Sequence, residues 1–217
     1  MNFYPSTQKK LFEHGSIFYE LVNLYENNKL PNKILLSGEK GIGKSTLAYH
    51  FINFVLSKNE DFSYNIKNNE IDPENKSYKL VQNKTNLNFN LVDLTDDKKN
   101  IDINQIRELI TNLNKSSFNN KLRFVLIDNI ELLNVNSINA LLKVLEDPNE
   151  NIIFILINNN KRVLPTLKSR CLNFKIFLTN KQSVNIVNQI LNDDINNIIN
   201  EEFFDNYSTP GKLLDII

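Results

Sequence analysis

Residues Gly38-Glu39-Lys40-Gly41-Ile42-Gly43-Lys44-Ser45 read G-x-x-x-x-G-K-S, and this pattern limits the fold more than any other feature of the chain. A short apolar run, Ile34-Leu35-Leu36, precedes it and is expected to be a buried strand; residues 46–56 follow it as an expected helix. A strand, a glycine loop and a helix in that order aim several backbone N–H groups at one point, where the positive end of a helix dipole adds to them. The glycines let the loop wrap a phosphate without Cβ clashes. In this pattern the lysine reaches the outer phosphates and the hydroxyl after it ligates Mg²⁺, which assigns those tasks to Lys44 and Ser45. A plain glycine turn between strand and helix is the competing reading.

Composition narrows the rest. A chain of 217 residues has room for one or two domains with a sizeable core. Its 25 Lys and Arg balance 25 Asp and Glu, so nothing at the level of the whole chain advertises nucleic-acid binding. The single cysteine, Cys171, excludes an internal disulfide framework and a multi-cysteine metal site. Met1-Asn2-Phe3-Tyr4-Pro5 lacks a basic stretch leading into an apolar one, so no signal peptide is expected. No run approaches the ~18 apolar residues of a membrane span. A cytoplasmic protein without membrane contact is the expectation.

Along the chain, helical and strand patterns alternate. Residues 15–28 carry apolar side chains at 17, 18, 21, 22 and 25, one face of a helix ended by Leu30-Pro31. Residues 58–88 are polar and rich in Asn and Lys; a loop is expected there, with a short strand around 78–81. A strand is expected at 90–94, a helix at 102–113, a loop at 116–120 and a strongly apolar strand at 123–128. A helix over 134–148, capped by Asn134 or Asn136 and closed by Pro148, precedes a core strand at 152–157. Residues 164–171 lead into a last strand at 172–177, and the pattern from Thr179 onward is helical.

The strand at 123–128 ends in Asp128. An apolar strand closing on an acid, parallel to and next to the glycine-loop strand, would set that carboxylate beside the Mg²⁺ site, where it can hold a metal-bound water. A strand that merely ends in an Asp turn residue would look the same. Residue 129 is Asn, and Asn can hydrogen-bond a water without taking its proton. Glu131 follows two residues on, expected in the next turn. Nucleotide binding is therefore favoured and fast hydrolysis is not.

Two further segments carry a family resemblance. Asn139-Ala140-Leu141-Leu142-Lys143-Val144-Leu145-Glu146-Asp147-Pro148 and, about twenty residues later, Leu164-Pro165-Thr166-Leu167-Lys168-Ser169-Arg170-Cys171 resemble the bacterial clamp-loader ATPases, the delta-prime and gamma/tau subunits of DNA polymerase III. Residues 30–38 and 103–109 fit the same family, so the resemblance runs from about residue 8 to 214. The wording of residues 164–171 is nearer to delta-prime.

That resemblance implies an α/β fold of the AAA+ P-loop type. A parallel five-stranded sheet flanked by helices would span about residues 1–176, and a small helical lid would span 177–217. It implies ATP and Mg²⁺ as cofactors. Gly38, Glu39, Lys40, Gly41, Ile42, Gly43, Lys44, Ser45 and Thr46 would form the phosphate cradle, and Ser45 and Asp128 would be the metal partners. Asn158 or Asn159 would be the sensor of the outer phosphate. Arg170 would be an arginine finger offered to a neighbouring subunit, a task suited to a permanently charged, forked group. Lys212 falls near a second sensor where the family often has Arg.

The implied partners are gamma/tau and delta subunits in a ring, the sliding clamp and, through the complex, primed DNA. With Cys171 alone, the four-cysteine zinc module of many members has no counterpart, and residues 58–88 stand in its place. The family's C-terminal helical collar also has no counterpart, so the chain is expected to be a fragment or a shortened relative that assembles weakly. An autonomous P-loop ATPase or kinase, or a non-hydrolysing scaffold with a vestigial loop, remain alternatives at this point.

Overall fold

The computed structural model describes residues 3–95, 98–114, 121–146, 149–199 and 207–217. Strands β1 (Lys33–Ser37), β2 (Phe89–Val92), β3 (Arg123–Ile127), β4 (Ile152–Asn158) and β5 (Leu172–Lys175) form one parallel sheet in the order β2-β3-β4-β1-β5. Parallel neighbours need a crossover, and α2 (Lys44–Leu56), α4 (Ile103–Leu113) and α5 (Val135–Glu146) lie on such connections; together with α1 (Gly15–Glu26), which precedes β1, they pack on the sheet faces.

Successive strand residues point to opposite faces. Ile34 and Leu36 of β1, with Ile153, Ile155 and Ile157 of β4, meet Phe18 of α1 and Leu47 and Phe51 of α2. Leu35, Val125, Phe154 and Leu156 meet Ile106 and Leu109 of α4 and Leu141 and Leu145 of α5 on the other face. Strands covered on both faces are apolar through their middles, which is why residues 124–127 of β3 and 152–157 of β4 read as unbroken hydrophobic runs, with the polar Arg123 and Asn158 only at the strand ends. The α/β fold expected from the alternation is the fold observed.

Three expectations are corrected. The strand expected at 78–81 is a helix, α3 (Lys76–Gln82). The segment Tyr78-Lys79-Leu80-Val81 is short enough for either state, and the cap decides: Asn75 Oδ1 accepts from Tyr78 N at 2.7 Å, while Glu60 accepts from Ser77 N and Oγ. The glycine-loop strand β1 and the acid-bearing strand β3 are not neighbours, because β4 lies between them. Sheet order is decided by which helices cover which face, and no local pattern encodes it. The second strand ends at Val92 rather than 94, and the last at Lys175 rather than 177, leaving Leu94 and Phe177 exposed. The expected loop at 116–120 and the helix-ending Pro148 lie outside the described residues.

The C-terminal helices α6 (Pro165–Lys168), α7 (Asn180–Leu191) and α8 (Pro210–Ile216) complete the described elements. Ile186 of α7 joins the core under α1 and α2, whereas Val187, Ile195 and Leu213 form a small cluster of their own. Among the described residues no helix is long and apolar enough to cross a membrane.

Candidate nucleotide site

At the carboxyl end of β1 the chain enters the glycine loop, and helix α2 begins at Lys44. Gly41 and Gly43 sit at φ 86° and 89°, a left-handed conformation that L side chains rarely adopt. Gly43 is the N-cap of α2 and has no side chain to offer the helix end. The first N–H groups of α2 therefore face the cleft with the positive end of the dipole and no capping oxygen, which is the seat an anion requires.

Lys44 is buried, with 3% of its surface exposed. Its Nζ donates to Gly38 O at 3.0 Å and Glu39 O at 2.5 Å, folded back along the loop. Burial lowers its pKa from 10.5 to about 8, against the pull of Asp128, Glu131 and Glu39. The Ser45 hydroxyl donates to Asp128 Oδ2 at 2.5 Å. Asp128 follows β3 directly, and burial pushes its carboxyl up, opposed by the Ser45 hydrogen bond and reinforced by Asp93. The interposed β4 does not prevent this contact, because α2 starts over the ends of the strands.

The residues around Asp128 were not all expected. Asn129 adopts φ 56°, a left-handed position that Asn tolerates, and donates from Nδ2 to Asp93 Oδ1 at 2.8 Å. Asn159 Nδ2 donates to Asn129 Oδ1 at 2.7 Å and to Glu131 Oε1 at 2.9 Å. Glu131 is in the next turn, as expected, yet its carboxylate reaches back to the end of β4. Tyr49, one helical turn after Ser45, has its phenol pushed up by burial and by Asp128 and Asp93. His14, buried at the entry to α1, lies 2.5 Å from Ile42 O through Nε2, and a Cβ on Gly43 would fall 3.0 Å from that nitrogen. Sequence reasoning missed Asp93, Tyr49 and His14, for none of them belongs to a spaced pattern.

The two sensor candidates separate. Asn159 lines a cleft of about 460 Å³ together with residues 40–46, Asp128 and Asn129. Asn158 turns away: its side chain bonds Lys161 O at 3.1 Å and accepts from Lys161 N, holding the turn after β4. Lys212 at the start of α8 lines the cleft, as do Ile186 and Ile190 of α7. Arg170 does not; it donates to Thr166 O at 2.8 Å and to Glu146 Oε1 at 3.0 Å, on a part of the surface outside that cleft.

The donor set fits a magnesium nucleotide. Among the described residues no three His, Cys, Asp or Glu side chains are placed to hold a metal by themselves. Mg²⁺ characteristically takes one or two protein oxygens and completes its shell with waters and substrate phosphates, and Ser45 and Asp128 supply that number.

A family model described as DNA polymerase III, delta subunit matches residues 13–180. The chain belongs to the DNA polymerase III delta-subunit family. Its relatives include DNA polymerase III subunit gamma of Buchnera aphidicola subsp. Schizaphis graminum, 29% identical over 199 residues, which are 91% of this chain and 52% of that one. Subunit delta' of Pseudomonas aeruginosa is 32% identical over 138 residues, 63% of this chain and 40% of the relative. The chain thus spans about half or less of the length of these relatives. Among solved structures, a gamma-subunit-related protein of Thermotoga maritima aligns with a TM-score of 0.51 at 21% identity, over 78% of this chain and 49% of that one. The RuvB Holliday junction branch migration motor of the same organism aligns with the same score at 18% identity, over 87% of this chain and 55% of its own. At such identities these two alignments speak for the AAA+ type of fold.

Proposed function

We propose that this family member works as a clamp-loader subunit of delta-prime type, binding ATP with Mg²⁺ in the cleft between the glycine loop and helices α7 and α8. The observation that carries the reading is the convergence of Lys44, Ser45 and Asp128 at the uncapped start of α2. When bound, the metal neutralises phosphate charge. The chain's residues would do the rest: the α2 N–H groups and Lys44 would seat the phosphates, Ser45 and Asp128 would hold the metal, and Asn159 would report on the outer phosphate.

Asn129 stands where a water-activating carboxylate would be useful, and it is tied to Asp93 and Asn159. Its own turnover is therefore slow. Arg170, outside the cleft, is offered to the nucleotide of a neighbouring subunit. In this reading residues 1–176 form the nucleotide-binding domain and 177–217 the lid. The partners are gamma/tau and delta subunits in a cytoplasmic ring that loads the sliding clamp on primed DNA. The relatives named gamma and delta' support this assembly.

Titration of the chain with Mg·ATP tests it. Wild-type protein should bind, and Lys44→Ala should weaken binding tenfold or more, since a charge-assisted phosphate contact is worth about 1.5–3 kcal/mol. No binding at millimolar nucleotide sinks the reading. Turnover by the isolated chain in the ordinary enzyme range of about 1–10³ s⁻¹ would make it an autonomous ATPase instead.

A further inference from the structure

The glycine loop has a second side. Opposite the nucleotide cleft, a groove of about 710 Å³ lies against Gly38 and Glu39, bounded by the ends of β1, β4 and β5. That volume is within the about 300–1,000 Å³ usual for ligand sites. Among the described residues four cations line it, Lys161, Arg162, Lys168 and Lys175, with one acid, Glu39. All four are exposed, and none forms an ion pair among the described residues. In a chain whose formal charge is zero, this is a local concentration of positive charge.

Two aromatic rings share the groove, Phe177 and Tyr207, 81% and 41% exposed. Phe177 lies two residues past the end of β5, where the strand's alternation of buried and exposed residues continues. Phe174, Ile176 and Leu178 alternate into the core, so Lys175 and Phe177 share the outward face. An isolated exposed Phe means little. A Phe whose ring is open to solvent beside unpaired cations is the combination that recognises nucleic acid with unstacked bases: cations follow the phosphates and rings take the bases.

We propose that this groove seats a single strand of nucleic acid, with Lys161, Arg162, Lys168 and Lys175 on phosphates and a base stacked on Phe177. A duplex keeps its bases stacked on one another and offers Phe177 no free face. An acidic polypeptide would engage the cations and leave both rings unused. Among the described residues the groove shares only Ile42 with the lining of the cleft, and this reading does not depend on the P-loop binding nucleotide.

The test is fluorescence anisotropy of a labelled oligothymidylate of about 20 nucleotides with the 217-residue chain. Four neutralised phosphates give a log–log salt slope of about −3, roughly a fiftyfold loss of affinity from 50 to 200 mM salt. Lys161→Glu with Lys175→Glu should weaken binding tenfold or more and flatten the slope. Phe177→Ala should weaken it roughly five- to a hundredfold and leave the slope unchanged. Thermal melting of each variant confirms that it folds, and a parallel ATP titration should be unmoved, which separates a failure here from a failure of the nucleotide site. Absence of binding at 50 mM salt overturns the proposal. Binding indifferent to both folded variants does so too, as does equal competition by duplex DNA or by polyglutamate.

Discussion

The Ser45 hydroxyl and the Asp128 carboxylate meet at 2.5 Å across the end of an intervening strand. They come from positions 45 and 128 and share no local structure; only the stacking of α2 over the sheet edge unites them. In the proposed reading this pair would open to hold the metal. Asp128→Asn should leave metal-free nucleotide binding intact and abolish the gain in affinity that Mg²⁺ provides, measured by titration with and without EDTA. A variant that keeps its full Mg²⁺ dependence would place the metal elsewhere.

Lys44 gives a pH signature. In the free chain its pKa is about 8 instead of 10.5. A bound polyphosphate favours the ammonium form, so above pH 8 binding must take up a proton and below it no proton is exchanged. Nucleotide affinity should be flat below pH 8 and fall by up to about tenfold per pH unit above it, while Lys44→Met should show no such fall. The sign for folding is the reverse. Below pH 8 the folded chain holds a buried ammonium at a cost, and that cost is relieved as pH rises from 8 to 10.5.

Replacing Asn129 by Glu restores a carboxylate but not a working site. Asn129 donates to Asp93, so Glu would remove a hydrogen bond to a charged group and set a third carboxylate beside Asp93 and Asp128. It would also occupy φ 56°, which suits Asn and strains other residues. Asn129→Glu should destabilise the chain by about 2–4 kcal/mol in urea melts. Adding Asp93→Asn should recover at least half of that loss; no recovery would show that the two side chains do not interact.

Asn158 and Asn159 are neighbours with separate fates. Asn159→Ala should alter nucleotide affinity or turnover in an assembled complex, and the loss of its bonds to Asn129 and Glu131 should also lower stability by about 1–3 kcal/mol. Asn158→Ala removes the clasp on Lys161 and should lower stability by about 1 kcal/mol with the nucleotide constants unchanged. The reverse pattern would exchange their roles.

Arg170→Ala should leave the chain's own nucleotide affinity unchanged and depress ATP hydrolysis by the complex it joins. Arg170→Lys should fail as well, because an ammonium cannot reproduce the fork. Glu146→Ala only removes a half-exposed surface partner, worth about 0.2–1 kcal/mol, and should preserve hydrolysis. A large loss of the subunit's own ATP binding in Arg170→Ala would rule out action in trans.

The parts that could be read from the chain were those set by local chemistry. β3 and β4 announce themselves because the middle of a strand buried on both faces is filled by apolar side chains, and residues 38–45 because a phosphate cradle fixes glycine, lysine and hydroxyl in order. Residues 78–81 misled because so short a segment, with Tyr78, Leu80 and Val81 around Lys79, suits either state, and the Asn75 cap and the Glu60 anchor decide it. The position of β4 between β1 and β3, and the pairing of Asp93 with Asn129, are decisions of the whole fold. Even with the motif in hand, which of two adjacent asparagines faces the cleft depends on the phase of the last strand residue.

Gly41 and Gly211 touch backbone to backbone: Gly211 N donates to Gly41 O at 2.9 Å, and a Cβ on Gly211 would fall 2.8 Å from the Gly41 Cα. The loop that would grip the phosphates and the turn that opens the last helix are thus fastened by a seam too narrow for any side chain. A loop that rearranges around its cargo must carry α8 with it or tear that seam. On the proposed reading α8 would thus be geared to the contents of the cleft, and its tilt would be a mechanical readout that a neighbouring subunit could feel without touching the nucleotide.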